Sequence, residues 1–292
     1  MSDKRLKHKQ FICINGQMYP AGEPSLSHTN RAFSYGDALF ETIHANGTRL
    51  QFFDDHYKRL LKGMHILSMD KKCLPGKEHL EKVIIKLLNK NHLYNGVRIK
   101  LTVFRDSGGY YTPERESSSF LAEAVPLPFD NYTLNQKGLT TGLFTSLLKQ
   151  ADTLSNLKTA NSLIYVMAGL YKKKAGLGEC FILNSKERIV ESISSNIFIM
   201  KNSTLFTPSL SEGCVEGVMR RQIIRIAQKE GIDCIETGIA KEDLLKADEC
   251  FLTNSIKGIS WIVAYGQKRY YSRTARKLIT LLNMEQFGIS TY

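Results

Sequence analysis

The chain has 292 residues, and 42% of them are hydrophobic, which is enough to bury a sizeable core and disfavours a disordered or fibrous protein. No apolar run approaches the roughly 20 residues that span a bilayer. The opening MSDKRLKHKQ also lacks the apolar stretch of a secretory signal. We therefore expect a cytoplasmic protein without a membrane partner.

The formal net charge of +12 would allow attraction of nucleic acid or anionic metabolites. The basic side chains cluster in the N-terminal tail and at residues 172–174, and elsewhere they are interspersed with acidic ones. No nucleic-acid-binding motif accompanies them, so no specific nucleic-acid partner is expected. The six cysteines are scattered without a C-x-x-C pair or zinc-like spacing to histidine, which predicts reduced thiols and no metal site.

The first part of the chain is predicted to mix strands and helices. Short strands are expected at residues 11–15 and 50–53, and a longer half-buried strand at 97–103, where apolar and polar side chains alternate. Two amphipathic helices are expected between them, and their apolar stripes are interpreted as core. The first helix opens at Asp54; the two stripes comprise Tyr57, Leu60, Leu61 and Met64, and Leu80, Val83, Ile84, Leu87 and Leu88.

An interdomain connection is expected at residues 126–137, where prolines interrupt any regular period. It separates a small N-terminal domain, residues 1–125, from a larger C-terminal domain, residues 138–292. In the second domain a helix is expected after Asn161 and another from Gly217 to Gly231. Strands are expected at 180–183, 196–200 and 250–253, and a last helix near 274–282. The pattern as a whole predicts an α+β fold.

Lys158 is the first candidate for chemistry. It stands among polar residues that cap helices, so we expect it on a loop that enters a helix, where functional residues often lie. A lysine amine forms a Schiff base only when desolvation or nearby positive charge lowers its pKa. The sequence around Lys158 is also consistent with an ordinary solvated lysine near the start of a helix.

Phosphate binding is indicated by the segment SEGCVEGVMRR, residues 211–221. Gly213 and Gly217 allow close approach of the backbone to a ligand, and a helix that begins near Gly217 offers unpaired N–H groups and a positive dipole end. The alternative is that Gly217 only starts a helix.

Two charged residues have equally open readings. Arg59 falls opposite the apolar stripe of its helix, so periodicity alone predicts a solvent-facing charge. Glu191 lies at the end of a predicted strand and could be a surface acid beside a turn.

Six segments, taken in order, resemble the fold-type IV, or class IV, aminotransferase family of enzymes that use pyridoxal 5′-phosphate (PLP). This family includes branched-chain aminotransferases, D-amino acid aminotransferases and aminodeoxychorismate lyases. The likeness spans most of the chain, from Phe11 to about Val263. The segments are RAFSYGDALFETI (31–43), HYKRL (56–60), LKTAN (157–161), VESISSNIF (190–198), SEGCVEGVMRR (211–221) and ADECFLTNSIKG (247–258).

The resemblance implies a role for each matching residue. Lys158 would form the Schiff base with PLP and move protons at the substrate. Glu191 would pair with the pyridine nitrogen, and Tyr35 would lie near the substrate. The phosphate would be bound by Arg59, the backbone N–H groups of Val218 and Met219, and the hydroxyl of Ser255.

The resemblance also implies an architecture. A small α/β domain would precede a larger domain with a β-barrel-like core, with PLP in the cleft between them. Members of the family are typically homodimers, so a homodimer is expected on this ground alone.

Departures from the family patterns bear on the reaction. Branched-chain aminotransferases carry a tyrosine and an arginine on the strand that includes Val97 and Ile99, and our alignment places these two apolar residues at those positions. The R-x-H pair of the D-amino acid enzymes is absent from RDSGGYYTP, residues 105–113. The R-x-x-G-G pattern, in which Arg105 is a candidate substrate ligand, is most similar to the aminodeoxychorismate lyases.

The leading hypothesis is therefore a lyase that eliminates pyruvate from 4-amino-4-deoxychorismate to give 4-aminobenzoate. The first alternative is an amino acid aminotransferase of the branched-chain type, which transfers the amino group to 2-oxoglutarate. A second, from another class, is a non-catalytic binding protein on the same fold. Fold analogy alone does not decide among them.

Overall fold

The computed structural model describes residues 10–23 and 26–289. The basic side chains Lys4, Arg5, Lys7 and Lys9 lie outside the described residues. The predicted α+β class is confirmed, since helices and two sheets share the chain. The helices are α1 (Arg31–Tyr35), α2 (Phe53–Ile66), α3 (Lys77–Lys90), α4 (Leu163–Lys174), α5 (Val218–Lys229), α6 (Lys241–Lys246) and α7 (Arg273–Phe287).

The strands include all the predicted segments except 50–53, together with several that were not predicted, among them 38–46 and 139–149. They are β1 (Phe11–Ile14), β2 (Gln17–Pro20), β3 (Ala38–Asn46), β4 (Arg49–Leu50), β5 (Gly96–Arg105), β6 (Ser118–Pro126), β7 (Leu139–Lys149), β8 (Glu179–Asn184), β9 (Ile189–Ser192), β10 (Asn196–Lys201), β11 (Thr204–Pro208), β12 (Cys234–Thr237), β13 (Glu249–Asn254), β14 (Gly258–Tyr265) and β15 (Lys268–Arg269).

The packing divides the chain into two compact units. The first contains the residues up to Asp130 together with Thr159–Asn161. The second contains Asn131–Lys158 and the residues from Ser162 onward. The chain therefore leaves the second unit directly after Lys158 and returns to it at Ser162.

The sheet of the first unit is antiparallel, with strand order β2-β1-β6-β5-β3-β4. On the central strand β5, Val97 and Ile99 are fully buried while Arg98 and Lys100 are half-buried, which matches the alternation of side chains across a sheet. Ile99 stands opposite Ile43 of β3, on the face where Glu41 contacts helix α2. Arg98 and Lys100 therefore lie on the face that is turned away from α2.

The predicted strand at 50–53 is wrong beyond Leu50. The chain turns at Phe52, whose φ of 53° is left-handed, and α2 begins at the next residue. Asp54 and Asp55 occupy the first helical turn, where their negative charge is favourable to the helix dipole.

The predicted solvent exposure of Arg59 is also wrong. The buried face of α2 includes His56 and Arg59, whereas Tyr57 and Leu61 of the predicted stripe are only half-buried. The reason is Glu41, a buried acid on β3 that accepts hydrogen bonds from both helical side chains. Helical periodicity could not reveal this partner, since Glu41 lies 18 residues away in sequence.

The sheet of the second unit has nine strands and curls into a barrel-like core. Its order is β12-β11-β10-β13-β14-β7-β8-β9, with β15 paired to β14. Strand β9, at one end, also packs against β10 and β11. Ile189 of β9 forms a bridge to Ile239, which follows β12 at the other end, so the two ends of the sheet meet. Apolar side chains such as Phe181, Ile197 and Leu252 fill the interior.

Within residues 10–23 and 26–289, no helix has the length and apolar character needed to cross a membrane. The same ranges contain no group of three or more His, Cys, Asp or Glu side chains suited to a metal ion. All six cysteines are free thiols, four of them buried.

We predict that the protein loses stability in mild acid because of His44. Burial lowers the pKa of His44 to about 4, against the opposing effect of Asp130. Between pH 6.5 and 4 the unfolded chain therefore binds a proton at His44 that the folded chain does not, and the free energy of unfolding falls as the pH falls through this window. The loss attributable to His44 should reach about 3 kcal/mol at roughly 1.4 kcal/mol per pKa unit.

Urea denaturation at pH 7 and pH 4.5 measures this loss. We expect His44→Gln to flatten the pH dependence, whereas the control His79→Gln, at an exposed position, should leave it as in the parent. An equal pH dependence in His44→Gln and the parent would contradict the assignment.

Candidate active site

Glu191 is a buried carboxylate on β9, with 3% of its surface exposed. Its Oε1 accepts hydrogen bonds from Lys149 Nζ and from the Tyr165 hydroxyl at 2.7 Å. Its Oε2 accepts the backbone N–H of Val215 at 2.9 Å. The surface-acid reading of Glu191 is therefore wrong, because the curl of the sheet encloses β9.

This set of donors favours an ionised carboxylate in which one lone-pair site can still accept a hydrogen bond. A carboxylate offers about four lone-pair sites. Two donors occupy Oε1 and one occupies Oε2, so Oε2 can accept one more. Burial, followed by the neighbouring Glu191 charge, raises the pKa of the Tyr165 hydroxyl, which thus stays protonated and donates.

Lys158 is half-buried and lies outside any helix, since α4 begins only at Leu163. The turn before it is held by local hydrogen bonds: Ser155 Oγ donates to Asp152 O, and Leu157 N donates to Leu154 O at 3.0 Å. The expectation of a loop that enters a helix agrees with this geometry. The role of Lys158 itself stays a prediction.

Two side chains join the loop of Lys158 to the other predicted site segments of the second unit. Lys149 Nζ donates both to Glu191 and to the carbonyl oxygen of Ser155 at 3.0 Å. Asn156 Nδ2 donates to the carbonyls of Leu210 and Cys214, at 2.9 and 2.7 Å. The loop before Lys158, the carboxylate of Glu191 and the segment leading to α5 are therefore held in one arrangement.

The start of α5 has the features of an anion site. Gly217 is the N-cap residue, and no side chain caps the helix or places an acid in its first turn. A Cβ at Gly217 would lie 1.9 Å from Asn196 Oδ1, so a larger residue would require the Asn196 side chain or its surroundings to shift. The N–H groups of Val218 and Met219 thus lie at a helix end whose positive dipole is uncompensated by side chains of its own helix.

Ser255 lies in the turn between β13 and β14 and is half-buried. Asn254 shapes this turn, because its Oδ1 accepts the N–H groups of Ile256 and Lys257 at 3.1 and 2.8 Å. Its Nδ2 donates to Ser195 Oγ at 2.8 Å. Thr253, immediately before it, has a buried hydroxyl with no hydrogen-bond partner in the structure.

Arg59, in the first unit, is 8% exposed and forms a fork with Glu41 through Nε and Nη2. Burial by itself raises the pKa of Glu41, but Arg59 and His56 together lower it to about 2. Sequence reasoning missed Glu41 and His56. The signal was present in FETI, where an acid stands among apolar residues on the same face of a strand.

Tyr35, also in the first unit, ends α1 and is 38% exposed. Its ring lies 5.0 Å from the Arg31 guanidinium carbon and 5.5 Å from the ring of Tyr111. The position of Tyr35 near the substrate stays a prediction.

The R-x-x-G-G motif builds a loop that is fastened to the first unit. Arg105 donates to Asp37 at 2.9 Å and to the carbonyls of Leu67 and Ser68, so its guanidinium is engaged in internal contacts. Arg31 Nη1 donates to the carbonyls that follow, those of Gly108, Gly109 and Tyr110. This geometry favours a structural role for Arg105 over the predicted contact with substrate.

The two faces of β5 bear on whether this strand could help to bind a substrate carboxylate, as expected for a branched-chain aminotransferase. Val97 and Ile99 face α2 and carry no group that binds a carboxylate. The opposite face presents Arg98 and Lys100, with His44 and Thr42 as their cross-strand neighbours. Basic side chains are thus present on this strand, each one residue after the aligned positions Val97 and Ile99.

The family model for class IV aminotransferases, described as "Amino-transferase class IV", matches residues 38–265. The chain belongs to this family. The match includes Arg59, Lys158, Glu191, Val218, Met219 and Ser255. The family predicted from the six segments is therefore confirmed.

Individual relatives carry different activities. A Methanocaldococcus jannaschii protein, provisionally named a branched-chain-amino-acid aminotransferase, is 29% identical over 248 residues, or 84% of each chain. The aminodeoxychorismate lyase of Vibrio harveyi is 25% identical over 233 residues, which cover 79% of this chain and 84% of the relative. A crystal structure of the branched-chain amino acid aminotransferase of Thermobaculum terrenum, in its PLP form, superposes with a TM-score of 0.84 at 18% identity, covering 96% of this chain and 95% of the other.

These findings establish a PLP-dependent enzyme, either a lyase or a transaminase, with the fold expected of fold-type IV. The alternative of a non-catalytic binding protein is set aside. PLP fits the residues of the second unit, because the glycine-lined helix start suits a phosphate and the ionised Glu191 suits a protonated ring nitrogen.

We predict that Gly217→Ala destabilises the fold at the start of α5. The added methyl group would lie 1.9 Å from Asn196 Oδ1, so either the buried Asn196 side chain, which donates to Val215 O at 2.9 Å, or the loop must shift. The free energy of unfolding of the apoprotein should fall by about 2 kcal/mol or more. Gly169→Ala in α4 is the matched control, because a Cβ there meets nothing within 4 Å, and it should be neutral or stabilising by up to about 1 kcal/mol. Equal stability of the two variants in urea denaturation would argue against a closely packed site.

Proposed function

We propose that PLP is held by Lys158, Glu191, Arg59, the N–H groups of Val218 and Met219, and the Ser255 hydroxyl. When bound, PLP supplies an electron sink for the carbanion formed at the substrate. Lys158 would hold its aldehyde carbon, and the same amine, when released from the cofactor, would move protons to and from the substrate. Glu191 Oε2 would accept a hydrogen bond from the protonated ring nitrogen, and the remaining groups would bind the phosphate.

The observation that carries this proposal is the carboxylate of Glu191. Its three donors favour the ionised state and leave acceptor capacity on Oε2. A protonated ring nitrogen is a suitable partner for such a group, because it can donate a hydrogen bond to the unfilled acceptor site of Oε2. The proposed role of Arg59 in binding the phosphate is supported by its two hydrogen bonds to Glu41, which fix the plane of the guanidinium.

For the reaction, we infer an aminodeoxychorismate lyase: elimination of pyruvate from 4-amino-4-deoxychorismate to give 4-aminobenzoate. The R-x-x-G-G loop supports this inference, since Gly108 and Gly109 have φ values of 130° and 71° that other residues rarely adopt. The likeness to the lyase of Vibrio harveyi also supports it. Cytoplasmic localisation remains a prediction from the sequence.

An amino acid aminotransferase of the branched-chain type is the second candidate. It is favoured by the higher identity to the Methanocaldococcus jannaschii relative. The basic side chains of Arg98 and Lys100, on the face of β5 away from α2, also favour it, because they could bind a carboxylate.

The two reactions are separated by products and by cofactor absorbance. We predict that the purified enzyme with PLP releases pyruvate and 4-aminobenzoate from 4-amino-4-deoxychorismate, and that L-leucine alone leaves the cofactor spectrum unchanged. Lys158→Ala should abolish turnover yet retain PLP through its phosphate, whereas Arg59→Ala should chiefly weaken PLP retention on dialysis.

The control for the phosphate site is Lys62→Ala, on the same helix as Arg59, which should retain PLP as the parent does. Amino-group exchange between leucine and 2-oxoglutarate without lyase turnover would replace the lyase by the aminotransferase. Equal retention of PLP by Arg59→Ala and the parent would remove Arg59 from the phosphate site.

We also propose that the enzyme is a homodimer that uses one face of α4. Its apolar residues recur at the spacing of one helix face but are exposed, by 72%, 54%, 44% and 57% at Leu163, Val166, Met167 and Leu170. An apolar stripe of this kind marks an interaction surface, and a second copy is the occupant that the family resemblance implies.

Val166→Glu should convert the dimer to a monomer in analytical ultracentrifugation, because the charge would be buried without a partner. Tyr94→Glu, at an isolated position that is 58% exposed, is the control and should leave the mass unchanged. A Val166→Glu variant that sediments as the parent does would exclude this face.

A further inference from the structure

Lys149 is a buried lysine for which the proposed reaction has no role. It ends β7, and only 8% of its surface is exposed, although the four residues before it are all exposed. The pairing of β7 with β8 shifts at this point, since Phe144 pairs with Ile182 and Lys149 with Asn184. The extra residues of β7 form an irregularity, and this geometry allows the Lys149 side chain to turn inward.

Burial of this ammonium group is costly, and its contacts show what offsets the cost. Nζ donates to Glu191 Oε1 and to Ser155 O, and it lies 5.5 Å from the centre of the Tyr165 ring. An ion pair of this kind is weak evidence for stability, because desolvation of the two charges consumes most of their attraction. Lys149 donates to the same oxygen of Glu191 as Tyr165, and this arrangement points to a role other than stabilising the fold.

Tyr165 and Lys149 differ in what they supply to Oε1. The hydroxyl is a neutral donor, whereas the ammonium group brings a full positive charge. With both donors on Oε1 and Val215 N–H on Oε2, rotation of the carboxylate is restrained. Of the three donors, only Lys149 also compensates the negative charge of Glu191.

We propose that Lys149 is a positioning residue that keeps Glu191 ionised and holds it with Oε2 directed to the ring nitrogen of PLP, so that Lys149 sets how strongly the protein recognises that nitrogen. This inference rests on the proposed cofactor site. Loss of the cation would favour a protonated Glu191, which cannot pair with a protonated ring nitrogen. Contact with Ser155 couples the same cation to the loop that ends at Lys158.

The test compares two ligands that differ only at the ring nitrogen. PLP and its carbocyclic analogue, in which C–H replaces that nitrogen, are titrated into the full-length apoprotein and their dissociation constants are measured. The preference for PLP is the ratio of the two constants. It reports on Glu191 alone, since the phosphate and the aldehyde are common to both ligands.

We expect the parent to prefer PLP, and Lys149→Met to lower this preference by about tenfold. Lys149→Arg, which keeps the charge, should restore it to within about threefold of the parent. In a Glu191→Gln background the Lys149→Met change should leave the ratio as it is, because its effect is transmitted through Glu191.

A merely structural role predicts a different result. Both ligands would then weaken equally in Lys149→Met, and an unchanged ratio would overturn the proposal. If Lys149→Met does not fold, Lys149→Gln, which has a donor without a charge, gives the same comparison. Failure of both uncharged variants to fold, with Lys149→Arg folded, would assign Lys149 to stability and overturn it too. A parent that binds neither ligand would instead refute the cofactor site itself.

Discussion

The buried carboxylate of Glu191 is the constraint on which the rest of the second unit depends. A charge enclosed by a curled sheet must be compensated, and here the compensation comes from three separate segments: the end of β7, the first turn of α4 and the loop before α5. The hydrogen bonds to this one carboxylate therefore link the end of β7, helix α4 and the loop before α5, and the last two lie close in sequence to the proposed site residues Lys158 and Val218.

The first unit also contains a buried acid whose charge is compensated by side chains from another segment. Glu41 is buried on β3 and is compensated by Arg59 and His56 of α2. The fork between Glu41 and Arg59 orients a guanidinium that would otherwise be free to adopt many rotamers. In both units an acid on a strand is paired with basic side chains from another segment of the chain.

The family is shown by the match to its model, but this match does not decide the reaction. Arg105 illustrates the difference. As part of a motif it indicates a lyase, yet its guanidinium is bound to Asp37 and to the carbonyls at the end of α2. In this structure the motif therefore supports the shape of a loop, and the contact of Arg105 with substrate stays a prediction. Relatives named for either activity match this chain over most of its length, so the match by itself does not fix the reaction.

By itself the sequence determined the α+β class, most of the helices, some of the strands, and the family, because periodicity, glycines and short motifs are local signals that can be recognised without knowledge of the fold. It also singled out Glu191 and Arg59, but left both open to a reading as surface charges. Only the tertiary structure decided that these side chains are buried, that Glu41 and Lys149 are their partners, and that Arg98 and Lys100 face away from α2. The physical reason is that burial and charge compensation are made between strands and helices distant in the chain, as with the 42 residues that separate Lys149 from Glu191.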